Sequence, residues 1–223
     1  MSPCDGNGTS LYYEVAGQGN SALFIHGMCG NGNVWGQVAL LSRQLRCVTY
    51  DRRGHTRSPL GAIAMRTVEL HADDASALIG SLGIAPCVLV ASSGGARVGV
   101  DLLRRYPELF TAAILSEPPI FRLDPQDGGR QIMQDLQPPL EAALRGGDPG
   151  AAIDAFFEYM CPGLWKRLTD AQKDPTAPIP PSCSAISRCP RTRSRRRRSP
   201  GSSSRAPSCQ ARQAILCCVG SQR

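Results

Sequence analysis

Val88-Leu89-Val90-Ala91-Ser92-Ser93-Gly94-Gly95-Ala96 runs from a short apolar strand through a small residue to Ser93, then through two glycines into a helical stretch. A serine on so sharp a strand-to-helix turn stands clear of the sheet edge. The turn is strained, so the residues two before and two after the serine must be small. Ala91 and Gly95 meet that demand around Ser93. The following helix aims its N-terminal N–H groups and positive dipole end at the serine. Two readings stand side by side: a nucleophile elbow, or a Gly-rich connection of the kind found in any α/β protein.

Outward from this turn, strand-like and helix-like runs alternate. Residues 11–15, 23–25, 47–50, 87–90 and 112–115 are short and apolar and are predicted as strands. Residues 35–45, 67–82 and 93–106 are predicted as helices. In the second of these, Ala75, Leu78, Ile79 and Leu82 make the i, i+3, i+4, i+7 stripe of a helix packed on a sheet. Such alternation predicts an α/β fold, a mostly parallel sheet flanked by helices. Residues 118–175 contain Pro and Gly breaks around helical stretches at 132–144 and 151–159, and the stripe Ile153, Phe156, Phe157, Met160 suits a helical cap or packing on the sheet. The expected organisation is a core over 1–120, a helical cap over 121–175 and a basic tail over 176–223.

Charge divides the chain at the same place. The net charge is +7, yet residues 1–174 hold all 18 Asp and Glu against 15 Lys and Arg, while the remainder holds 10 Arg and no acid. The folded part is mildly acidic, which excludes a single basic nucleic-acid-binding domain. None of the ten cysteines has CxxC spacing to another, and no His lies near the late ones, so no metal site is expected. Residues 1–10 have neither the basic start nor the apolar run of a secretory signal, and no run approaches 18 apolar residues. A cytoplasmic protein with free thiols, not associated with a membrane, is the expectation.

Two further segments join the serine turn. Phe24-Ile25-His26-Gly27-Met28 puts His-Gly at a strand end, and Tyr50-Asp51-Arg52-Arg53-Gly54-His55-Thr56-Arg57-Ser58 follows the next strand. In this order and at these spacings the chain resembles the α/β-hydrolase fold family, closely over residues 9–120 and more loosely to 175. The resemblance implies Ser93 as nucleophile, an oxyanion hole from the backbone N–H groups of Met28 and Gly94, and His26-Gly27 as the oxyanion turn. Thr56 stands where the family usually has Gly. A serine nucleophile implies a small-molecule acyl substrate such as an ester, lactone, thioester, amide or diketone, with no cofactor. Family members that open epoxides or remove halogen use Asp at this position and are disfavoured.

The family's order is Ser, then an acid, then His. Here His26, His55 and His71 all precede Ser93, so none fits as general base. His71 opens the 67–82 helix, where a surface or packing role is expected. Glu117, at a strand end, takes either a structural role or that of the triad acid carried there by a few relatives. The chain as written is expected to be weak or inactive, and a non-catalytic binding protein is the rival reading. Residues 176–223 allow three: a disordered basic tail, an Arg/Ser segment binding nucleic acid, or translation out of frame. The last fits the abrupt loss of acids, and the segment has no Phe, Tyr or Trp on which bases could stack. On that reading the sheet lacks its final strands, which leaves an unpaired edge.

Overall fold

The computed structural model describes residues 4–62, 67–123, 126–173 and 215–217. A small hairpin comes first: β1 (Cys4–Gly6) pairs antiparallel with β2 (Thr9–Leu11). Asn7 and Gly8 both take positive φ, 40° and 79°, as a tight two-residue hairpin turn demands. The main sheet is built from β3 (Tyr13–Ala16), β4 (Ser21–Ile25), β5 (Arg46–Tyr50), β6 (Cys87–Ser92), β7 (Phe110–Ser116) and β8 (Ile215–Cys217). Its spatial order is β3-β5-β4-β6-β7-β8. The three central pairings are parallel and the two outer ones antiparallel. The mostly parallel α/β sheet expected from the alternation is therefore present.

Period-2 alternation sorts the strand side chains onto two faces. Leu23, Ile25, Val48, Leu89, Ala91, Ala113 and Leu115 form one core with α2 (Val68–Leu82) and α3 (Gly94–Arg105). Ala22, Phe24 and Cys47 face the other way, under Trp35, Val38, Leu41 and Leu45. Helix α2 starts where the Thr67 hydroxyl accepts from the Leu70 N–H at 3.1 Å and ends at Gly83, φ 58°.

Several expectations are corrected. The single strand over 11–15 is two, because Tyr12 turns away: its N–H donates to Ser58 Oγ and its carbonyl accepts from the Asp51 N–H, both at 2.9 Å. The helix over 35–45 shrinks to α1 (Val38–Leu41), preceded by a 3-10 turn at Gly32–Val34 from which Trp35, at ψ 67°, separates it. The apolar spacing was real, but it serves packing more than helix length. The edge of β7 is not unpaired: β8 lies antiparallel along it, Leu115 opposite Ile215. The N–H and C=O row at the edge of β7 is paired by the Ile215–Cys217 backbone. Of the tail expected to be disordered, residues 215–217 are thus a strand, and the rest lies outside the described residues.

After β7 comes a helical hairpin, α4 (Gly128–Arg145) and α5 (Pro149–Met160), followed by the short α6 (Asp170–Lys173). Helix α4 continues through Pro138 and Pro139, although each removes a backbone donor. Asp148 caps α5 through the Ala151 N–H at 2.9 Å, and Phe157 stacks on Trp165 at 4.3 Å.

Candidate active site

Register positions the site. Ile25 is opposite Ala91, and Ser92 opposite Ser116, so β4, β6 and β7 end level with one another. The carboxyl ends of parallel strands are where α/β sheets open a crevice. Ser93 follows β6 with φ 52° and ψ −125°, a left-handed conformation unusual for a side chain with a Cβ. Its N–H donates to the Ser116 carbonyl at 2.8 Å, which holds the turn against β7.

The small residues around Ser93 have specific causes. A Cβ on Gly95 would run into the backbone carbonyl oxygens of Ile25 and His26, so α3 crosses the end of β4 at a distance only glycine permits. A Cβ on Gly27 would lie 3.1 Å from Ser93 Cβ and 3.6 Å from its Oγ. One on Gly94 would lie 3.5 Å from the Met28 nitrogen. The structure therefore brings Gly27, Met28, Ser93 and Gly94 together. Gly94 opens α3, and the first N–H groups of a helix have no partner within it. Two backbone donors beside a serine hydroxyl can stabilise negative charge developing on an oxygen bonded next to that serine.

His26 lies beneath this turn, 0% exposed. Its Nε2 accepts the Arg52 N–H at 3.0 Å, so the ring proton sits on Nδ1 and donates to the Gly27 carbonyl at 2.8 Å. Burial, then the Arg52 charge and His55, push its pKa down to about 3. Both ring nitrogens are occupied, and His26 is a neutral structural group. Its ring meets His55 edge-on at 4.9 Å, and His55 in turn lies 6.3 Å from His71. His71 is on the inner face of α2 and buried, so of its two expected roles packing is the one observed. Glu117 directly follows β7 with φ 51°.

The turn after β5 supports the site from the side. Asp51 accepts from the Gly32 N–H at 2.7 Å and from Arg57 Nε at 2.7 Å and Nη2 at 2.8 Å. Although burial works against it, these bonds hold the Asp51 carboxyl below the usual carboxylate range. Thr56, where glycine was expected, sits at φ 35°, so its β-branched side chain is strained there. Arg52 Nη2 donates to the Gly27 carbonyl at 2.9 Å. Sequence reasoning missed this contact, because nothing in a linear string marks which Arg of a pair turns towards a distant carbonyl.

Among the described residues no cluster of three His, Cys, Asp or Glu could hold a metal, and no helix is long and apolar enough to cross a membrane. A cavity of about 270 Å³, lined by residues including Tyr12, Glu14, Val38 and Cys47, lies at the β3–β5 end of the sheet, away from Ser93.

The family model for the alpha/beta hydrolase family matches residues 22–214. An uncharacterized hydrolase of Bacillus subtilis is 37% identical over 135 residues, 58% of this chain and 50% of that protein. A 2-(acetamidomethylene)succinate hydrolase of Mesorhizobium japonicum is 29% identical over 156 residues, 66% of this chain and 55% of that protein. The chain thus spans about half the length of these curated relatives. Among solved structures, an epoxide hydrolase from Bacillus megaterium superposes with a TM-score of 0.61 at 24% identity, covering 77% of this chain and 63% of its own, which is a likeness of fold.

Proposed function

This chain belongs to the alpha/beta hydrolase family, and from that premise we propose that Ser93 is the nucleophile of an acyl-transfer site for a small, largely apolar ester or related substrate. Ser93 Oγ attacks the carbonyl carbon, and the carbonyl oxygen gains charge against the N–H groups of Met28 and Gly94. The alcohol leaves with a proton, and water then releases the acid from Ser93. The α4–α5 hairpin shapes the substrate space as a cap. The observation that carries this reading is Ser93 at φ 52° beside Gly27 and the Met28 nitrogen.

No histidine follows Ser93 in the sequence, and His26 has both nitrogens engaged. Loss of the base leaves only the contribution of binding and the oxyanion hole, a deficit of about 10⁴-fold or more relative to a complete triad. With a 4-nitrophenyl ester as substrate, the chain is expected to turn over slowly, and Ser93→Ala to fall to the buffer rate. Equal rates in the two proteins reject Ser93 as the nucleophile. Fast turnover lost in the variant contradicts the missing base.

The same reading makes residues 176–223 a product of translation out of frame, supported by their 10 Arg and absence of acids. The coding DNA, translated in the shifted frame over this segment, is expected to give an acidic loop followed by a His. Stop codons there return the segment to a basic extension.

A further inference from the structure

The Gly27 carbonyl accepts two hydrogen bonds: His26 Nδ1 at 2.8 Å and Arg52 Nη2 at 2.9 Å. Arg52 holds this turn a second time, since its own N–H donates to His26 Nε2 at 3.0 Å. One residue after β5 therefore grips both the ring and the carbonyl of the turn after β4. In a trans peptide the N–H points opposite to the C=O, so fixing the Gly27 carbonyl fixes the Met28 N–H.

That peptide needs an outside hold. A Cβ at position 27 would press on the Ser93 side chain at 3.1 Å, which favours the glycine found there, and glycine is the residue freest to rotate. Met28 is 57% exposed, so its side chain anchors little. Cys29, next in the chain, has φ 55°. Arg52 is itself 6% exposed, which keeps its two contacts out of competition with water.

We propose that Arg52 is a positioning residue for the oxyanion hole: its guanidinium sets the Gly27–Met28 peptide so that the Met28 N–H faces the oxygen that becomes charged when Ser93 attacks. This rests on the reading of Ser93 as nucleophile. The neighbouring arginines have other work, Arg53 bonding Asp74 and Arg57 bonding Asp51.

Phenylboronic acid tests this on the full chain. Ser93 Oγ bonds to boron, its proton passes to solvent, and the resulting tetrahedral anion presents an oxygen to the hole. Boron NMR reads the adduct, and benzyl alcohol serves as a neutral probe of the same space. The native chain is expected to form an adduct that Ser93→Ala abolishes. Arg52→Met is expected to weaken boronate binding about tenfold, short of the 10²–10³ that follows removal of a hole donor outright, with benzyl alcohol binding unchanged. Arg52→Lys, which keeps one donor, should recover part of the loss.

Native boronate affinity in Arg52→Met overturns the proposal, as does an equal loss for both probes. A native chain with no adduct, or an adduct that survives Ser93→Ala, overturns the Ser93 reading and the proposal with it. Adduct loss confined to Ser93→Ala leaves Ser93 standing and removes Arg52. Should Arg52→Met not fold, the native chain labelled with ¹⁵N-arginine and ¹³C-carbonyl glycine decides. Scalar coupling from Arg52 Nη to the Gly27 carbonyl carbon is expected, and its absence overturns the proposal.

Discussion

Asp74→Ala is expected to destabilise the protein by about 3–5 kcal/mol, the cost of leaving one charge of a buried pair alone. Arg53 is 0% exposed and Asp74 1%, and the two meet through a fork: Nε to Oδ2 at 2.8 Å and Nη2 to Oδ1 at 2.6 Å. The guanidinium also donates to the carbonyls of Leu60 at 3.2 Å and Asn7 at 2.8 Å. It therefore ties α2 to the N-terminal hairpin and to the loop after β5. Burial pushes the Asp74 carboxyl up even with Arg53 beside it, a sign that desolvation is a large part of the balance. Set against a typical stability of about 5–15 kcal/mol, the single change removes much of the margin. The urea midpoint measures it, with Arg53→Met/Asp74→Ala as the partner experiment. The double variant should be more stable than Asp74→Ala alone, because no unpaired charge remains. A single variant within about 1 kcal/mol of the native chain would show that water reaches Arg53.

Acid is the second large lever. The pKa of His26 falls from about 6.5 in an unfolded chain to about 3 in the fold. Between these values the unfolded chain binds a proton that the folded chain does not, so stability falls as pH drops. The contribution is complete above about pH 6.5 and is lost at up to about 1.4 kcal/mol per pH unit below it, roughly 3 kcal/mol by pH 4. Asp51 and Asp101 act lower. Burial raises each, but bonds from Arg57, and from Arg104 and Arg105, outweigh it and depress both carboxyls. Their share is present above about pH 3.9 and is lost as pH falls through their folded values. Urea midpoints from pH 7.5 to 4.5 should decline, and His26→Gln, which keeps an acceptor for the Arg52 N–H, should flatten that slope. A flat profile in the native chain would mean that protonated His26 is accommodated.

What could be seen in the linear string was what local physics dictates. The strand ending at Ser92, the elbow at Ser93 and the small residue at position 95 were legible because a strained turn admits few residue types. The stripe of α2 was legible because its 3.6-residue period runs unbroken over 15 residues between the Thr67 cap and Gly83. The hairpin at Asn7-Gly8 had its usual signal and was overlooked. Other features depend on partners far away in sequence. Nothing local says that Arg53 reaches Asp74, that Arg52 reaches Gly27, or that Ile215–Cys217 returns to β7. The overlong helix at 35–45 is instructive in the same way, since Trp35, Val38, Leu41 and Leu45 carry a helical period and use it to cover Phe24 and Cys47 without staying helical throughout.

Because β4, β6 and β7 end level, every backbone group that shapes the serine turn lies between Ile25 and Ser116. A ribosome delivers that stretch first, and a domain can organise while synthesis continues. The turn can thus be drawn together before the helical hairpin or anything beyond it has been made. A change in the sequence beyond Ser116 then leaves every hydrogen bond of that turn in place, including the one from the Ser93 N–H to the Ser116 carbonyl.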